Sequence, residues 1–490
     1  MSFAKCSLEV WRQLQNTSRR EEFIAYCNSK YELVPFFAWF LRYFHGNAWP
    51  LVVLALLAMP IIFTNVKYIA DEFMSKSIMR FQQRFKISAL IGAVTLIPLS
   101  NAGPDLIVTF VSSQKEQGED IAMGSLLGAF VFVSTIATGY AVLRSPNATV
   151  NVPKGPLFKD IGFYGAGAIM VIVFGLLRRT QRFYHVLPLT LLFAYIATSI
   201  YMARREAAEV KEALNASLEE SEHKSEAYLD FLSYTWRHLY DPADPLFSVL
   251  FLPFKAFYML TVPYSENPLT RTPLFYLVLA ISAALAILGF EVSSNPWVLL
   301  GAPAAIAAVV AGLMQVGALK RHRVLFCDFF SLLVSIAFTK VLTDVLLGCI
   351  NFTSFVLGVN EAYLSMIVLS IGMSISDLFS NAAIAASGHD VMAVMGCISS
   401  QIFNLFVGVA GYILFNAKGT FDIFGLAHRG AGPEKGLFVI LIAFAFGALT
   451  VNFVHISVNN RYRKNFAAYS AVFYVCFLAI TAFYSISTDK

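Results

Sequence analysis

Long apolar runs, separated by short polar stretches, pattern the chain from residue 49 to residue 486. They lie near 49–70, 86–113, 119–143, 158–177, 184–203, 274–291, 297–318, 325–349, 361–387, 390–415, 436–457 and 465–486. A helix that crosses a bilayer takes roughly 20 predominantly apolar residues. The pattern therefore predicts about twelve transmembrane helices and an all-α integral membrane protein, with the lipid bilayer as its main partner. One interior stretch, 204–273, departs from this. It opens "RREAAEVKEALNASLEESEHKSE", polar and helix-prone, then turns amphipathic through "PLFSVLFLPFKAFYMLTVPY". That order predicts a solvated cytoplasmic linker followed by a helix lying on the bilayer surface.

The spacing of polar landmarks repeats. Asp105 precedes Gly124 by 19 residues, and Asp377 precedes Gly396 by 19. Gly124 precedes Gly139 by 15, and Gly396 precedes Gly411 by 15; each later glycine is followed by tyrosine. Upstream, Asp71 lies 34 residues before Asp105 and Asp344 lies 33 before Asp377, each expected at the end of an apolar span. Several matches in register indicate an internal repeat. The expected organisation is an extramembrane segment over 1–48, a five-helix repeat over 49–203, the loop over 204–273, an inserted hairpin over 274–324 and a second five-helix repeat over 325–490. An odd-numbered unit followed by an even insert makes the second copy enter from the opposite side. That is an inverted repeat, here a ten-helix core plus two added spans, the plan of many secondary transporters.

Composition narrows the function. The chain has 490 residues, 57% hydrophobic and 14% charged, with mean hydropathy +0.65; soluble domains carry about 25% charged residues. The net charge of +5, without a long basic block, argues against nucleic-acid binding. His185, His428 and His455 are scattered, with no nucleophile–base pair, which argues against an intramembrane enzyme. No resident cofactor is implied. An N-terminus outside puts Lys76, Arg80, Arg84, Lys86, Lys320, Arg321, Arg323, Arg461, Arg463 and Lys464 on the cytoplasmic side, with the Asn351-Phe352-Thr353 sequon outside; Arg178, Arg179 and Arg182 run against it.

The stretch "SNAGPDL" at 100–106 places a helix-breaking pair and a carboxylate inside an apolar run. An ionised aspartate at hydrocarbon level costs about 2.5–3.5 kcal/mol on insertion scales, so it is expected to face a cavity and a partner. Pro104 frees a carbonyl near Ser100, and Gly103 lets the chain bend, so a broken helix is expected there. The second copy, "GMSISDLFSN" at 372–381, lacks the proline and is expected to bend less. Freed carbonyls, carboxylates and hydroxyls are hard oxygen ligands, of which Ca²⁺ usually takes six to eight. The candidate cation ligands are Asp105, Asp377, Asn101, Ser100, Ser374 and Ser376, with Asn404, Ser400 and Gln401 from the following helix. Asp71, Asp344, Ser380, Asn381 and Ser134 form a second tier. Two symmetric carboxylates neutralise one divalent ion, or take protons or monovalent cations instead, which suits exchange at a single midplane site.

These motifs resemble the two alpha-repeats of the cation/calcium exchanger superfamily, and especially the branch that includes the mitochondrial-type sodium/calcium/lithium exchanger. "PLFKDIGFY" at 156–164, "IADEF" at 69–73, "LTVPY" at 260–264, the extra hairpin and the Cys6–Cys27 spacing share that resemblance. The family's Gly-Asn-x-x-Pro-Asp matches Ser100-Asn101-Ala102-Gly103-Pro104-Asp105, and its Gly-Asn-Ser-x-Gly-Asp matches Gly372-Met373-Ser374-Ile375-Ser376-Asp377. Ser100, Met373 and Ser376 depart from the pattern, and Phe130 stands where an amide helps to bind cations. The resemblance implies an antiporter moving Ca²⁺ against Na⁺, Li⁺ or H⁺ by alternating access, with the departures bearing on the counter-ion. The alternative is an exchanger-like protein acting as an uncoupled carrier, a leak or a sensor. The host membrane, organellar or plasma, is left open by the sequence.

Overall fold

The computed structural model describes residues 48–85, 89–113, 118–147, 149–177, 182–205, 245–263, 274–289, 323–359, 361–386, 388–415, 434–459 and 461–488, with Arg20, Glu22 and Trp39. The run at 297–318, the pair Cys6 and Cys27, and most of the 204–273 loop lie outside those residues. The fold is helical. Its helices are α1 Trp49–Ile69, α2 Lys76–Arg84, α3 Ala89–Ser113, α4 Gly118–Phe132, α5 Thr138–Arg144, α6 Lys154–Leu177, α7 Val186–Arg205 and α8 Pro245–Thr261. After them come α9 Leu274–Gly289, α10 Arg323–Leu357, α11 Glu361–Leu364, α12 Ser370–Ala386, α13 Asp390–Phe415, α14 Glu434–Asn459 and α15 Asn465–Thr488. Among the described residues seven helices are long and apolar enough to cross a bilayer, or eight if the bent helix over 365–386 is one span.

Short π-helical segments, Val133–Ala137 between α4 and α5 and Ser365–Leu369 between α11 and α12, leave each pair continuous. Such a bulge adds a residue to one turn and loosens the local hydrogen-bond ladder. Here Ser134 shows the effect: its carbonyl accepts the Asn452 amide from α14 at 3.0 Å. Asn452 also accepts the Tyr462 hydroxyl at 2.8 Å. Tyr462 lies in strand β2 Tyr462–Arg463, which pairs antiparallel with β1 Thr149–Val150.

The chain gathers into two compact units. The larger takes the described residues of 1–63, 101–198 and 342–490; the smaller takes those of 64–100 and 199–341. The core of the larger unit packs Leu126, Phe130, Tyr164, Phe406, Phe438 and Phe477 from α4, α6, α13, α14 and α15. Gly128 and Gly372 are among the described glycines where close approach leaves no room for a Cβ. A Cβ on Gly128 of α4 meets the Met366 carbonyl at 2.4 Å, and a Cβ on Gly372 of α12 meets the Phe63 ring at 2.0 Å. In the smaller unit, Arg80 donates to Asp328 at 2.8 Å, and Tyr258 of α8 packs edge-on to Phe338 at 5.3 Å.

Four sequence expectations are corrected. Helix α3 runs unbroken through Gly103 and Pro104, since one missing N–H removes one rung and the neighbouring rungs hold. The sharp bend falls instead in the second copy, 45° between 365–375 and 377–386. There the Asn381 amide takes the Asp377 carbonyl at 2.8 Å, competing with the backbone ladder as a polar side chain does when it bonds one turn back. Asp344 does not end its span, because α10 continues to Leu357 and buries it. The sequon at Asn351 is likewise inside α10, with Asn351 only 2% exposed, so it is no surface acceptor.

Candidate cation site

The site assembles around one turn of α13. Gln401 and Asn404, three residues apart on that helix, each donate a side-chain amide N–H to one of the repeated acids. Asn404 Nδ2 reaches Asp105 Oδ2 at 2.6 Å, and Gln401 Nε2 reaches Asp377 Oδ2 at 3.3 Å. Asp105 comes from the middle of α3 and Asp377 from α12 just past its bend, so three helices converge on these two bonds. Asp105 is half-buried; Asp377, Gln401 and Asn404 are buried. Carboxylates in apolar surroundings need such donors, because burying an ion without partners costs far more than the bonds return.

Beside these bonds lie oxygens that have no partner. Asn404 Oδ1, Gln401 Oε1 and Ser374 Oγ are buried without a hydrogen bond. Ser374 stands one turn before Asp377 on α12. A narrow cleft is lined by Asp105, Val108, Ser125, Leu126, Ser370 and Met373. Among the described residues no three His, Cys, Asp or Glu side chains cluster as a metal centre. The polar groups gathered on these three helices are two carboxylates and neutral oxygens, the atom types that hard cations take.

The other expected residues fall variously. Asn381 is buried beside Asp377 through its bond to the Asp377 carbonyl. Ser400 is buried, but its hydroxyl bonds back to the Cys397 carbonyl at 3.3 Å. Ser380 is exposed next to exposed Phe379 and stands apart from the cluster. Ser134 donates to the Phe130 carbonyl at 2.6 Å, and its own carbonyl is taken by Asn452. Ser100, Asn101 and Ser376 have helical backbones, Asp71 lies in the π-helical segment Ala70–Ser75, and their side chains are outside the described ones. Phe130 stacks on Tyr164 with ring centroids 3.5 Å apart, filling its place with apolar surface.

Sequence reasoning missed another buried acid. Asp160 in α6 is 1% exposed and pairs with the Lys159 ammonium at 3.0 Å, which also sits 4.5 Å from the Tyr195 ring centre of α7. Its sequence signal is Lys159-Asp160 in "PLFKDIGFY", a charge pair at the mouth of an apolar run.

The profile of the family described as sodium/calcium exchanger protein matches residues 54–203 and 328–483. A rat (Rattus norvegicus) mitochondrial sodium/calcium exchanger protein is 24% identical, over 97% of this chain and 88% of that protein. Cation/calcium exchanger 5 of Arabidopsis thaliana is 22% identical, over 81% of this chain and 76% of that one. Among solved structures, the crystal structure of an H⁺/Ca²⁺ exchanger, CAX, covers 96% of this chain and 94% of its own at 12% identity, with a TM-score of 0.44.

Proposed function

The chain belongs to the sodium/calcium exchanger protein family, and from that premise we propose that it is a Ca²⁺ antiporter whose exchange site is the Asp105–Asn404 and Asp377–Gln401 cluster. As a member it is a multi-pass integral membrane transporter of inorganic cations. The observation that carries the proposal is the pairing of both repeated acids with amides one turn apart on α13, with unpartnered oxygens on the same side chains. Four carboxylate oxygens, two amide oxygens and the Ser374 hydroxyl give about seven ligands, within the six to eight that Ca²⁺ takes. The same two carboxylates accept Na⁺, Li⁺ or protons when Ca²⁺ leaves, so the occupants exclude one another. The inverted repeat supplies the two-sided access that exchange requires.

The test is transport by the full chain reconstituted in vesicles. Ca²⁺ flux should follow an imposed Na⁺, Li⁺ or pH gradient, and Asp105→Asn or Asp377→Asn should each abolish it. Ca²⁺ flux indifferent to all three gradients would overturn exchange and leave an uncoupled carrier.

A further inference from the structure

We propose that Gln401 and Asn404 are two-position ligands: each presents its NH₂ to a carboxylate when no cation is bound, and turns its amide over to present its carbonyl oxygen when a divalent cation enters. The inference rests on the cation-exchange reading of the same site. Both amides now donate, to Asp377 at 3.3 Å and to Asp105 at 2.6 Å. Both carbonyl ends, Gln401 Oε1 and Asn404 Oδ1, are buried without a partner on side chains 1% and 2% exposed. An acceptor buried unpaired is costly, so a residue that only anchors a carboxylate is poorly served by an amide.

An amide carries a donor and an acceptor on one flat group, and its last torsion is broad and roughly two-fold. Half a turn exchanges the two ends without moving α13. While they donate, the amides stabilise two carboxylates inside the membrane. A divalent ion repels those N–H groups, binds the carboxylates itself and draws the carbonyls inward. A monovalent ion, with half the charge, repays less of the two broken N–H···O bonds. The pair therefore favours divalent cations and sets the longer Gln401 bond to release before the shorter Asn404 one.

Infrared difference spectra of the purified full chain in lipid nanodiscs, with isotope-labelled Asn and Gln side chains, test this on addition of Ca²⁺. The expected result is a shift of a labelled amide C=O band together with the carboxylate bands. The amide contribution is lost in Asn404→Leu and Gln401→Leu, and the Ca²⁺ Kd weakens at least tenfold in the former. Carboxylate bands that shift while the amide bands stay fixed overturn the two-position ligand and leave the exchange site standing. No shift in either overturns both. Should the leucine variants fail to fold, the labelled wild-type spectrum still decides.

Discussion

Asn404 and Asp105, 299 residues apart in sequence, share a 2.6 Å hydrogen bond. It joins an acid of the first half to an amide of the second, and three residues earlier on the same helix Gln401 holds Asp377. One helix thus serves both acids. The chemistry is asymmetric: α13 supplies the amides, while in α4 Ser125 spends its hydroxyl on the Ala122 carbonyl and Phe130 presents a ring.

This asymmetry separates polar neighbours on α13. Asn404→Leu removes the donor to Asp105 and the free carbonyl together, and should weaken apparent Ca²⁺ affinity at least tenfold, about 1.4 kcal/mol or more. Ser400→Ala loses only a bond back to the Cys397 carbonyl and should stay within about twofold, since such local bonds contribute little net. Vesicle uptake across a Ca²⁺ series measures both. Equal losses would mean that burial on this helix, rather than contact with the acid, sets the effect.

Gly128 and Gly372 differ in what they meet. In Gly128→Ala the new methyl lies 2.4 Å from the backbone oxygen of Met366, so helices must part, at about 1–3 kcal/mol by the overpacking scale. In Gly372→Ala it meets the Phe63 ring, a side chain. Gly372→Ala should therefore recover part of its thermal stability when combined with Phe63→Leu. Gly128→Ala has no comparable rescue. Gly162→Ala, with nothing within 4 Å, should be neutral or stabilising by up to about 1 kcal/mol from helix propensity. Thermal unfolding of the purified variants reads all of these.

Polar groups inside apolar runs made Asp105, Asp377, Gln401 and Asn404 legible in the sequence, because intramembrane polarity is too costly to be incidental. Local chemistry was a poorer guide to helix geometry. Pro104 is a stronger breaker than anything in 372–381, yet the bend lies beside Ser376. Around the bend lie the π-helical turn Ser365–Leu369, the Asn381 amide on the Asp377 carbonyl one turn back, and the Phe63 ring against Gly372; the last is a tertiary contact that propensity does not hold. The Lys159–Asp160 pair is hard to read from sequence for a related reason. Its partner ring, Tyr195, comes from the next helix, and nothing in a single run announces it.

Asn351 tests the correction to the sequon. Both ends of its amide are buried and unpartnered within α10. Asn351→Leu replaces them with apolar volume and should leave stability unchanged or raise it by about 1–3 kcal/mol, the cost of a buried unsatisfied group. In a cell line that N-glycosylates, the substitution should not change electrophoretic mobility. A mobility shift would place Asn351 at a surface open to the glycosylation machinery and contradict the helix.

Asp390, in the larger unit, accepts three hydrogen bonds. Its Oδ2 accepts the Ser145 hydroxyl at 2.8 Å and the Asn147 amide at 3.0 Å; its Oδ1 accepts the Val391 N–H at 2.8 Å, at the start of α13. One carboxylate thus caps the helix that carries Gln401 and Asn404 and ties it to the segment after α5. Asp390→Ala removes the cap and strands two donors, at about 2–4 kcal/mol in all. Asp390→Asn retains an oxygen acceptor and should lose less. Because the cap sits more than two turns before Gln401, Ca²⁺ affinity in either variant that folds should stay within about threefold of wild type. Thermal unfolding paired with Ca²⁺ titration separates the two effects. A tenfold affinity loss in Asp390→Asn at near-normal stability would show that the register of α13, and not merely its anchoring, is set from this end.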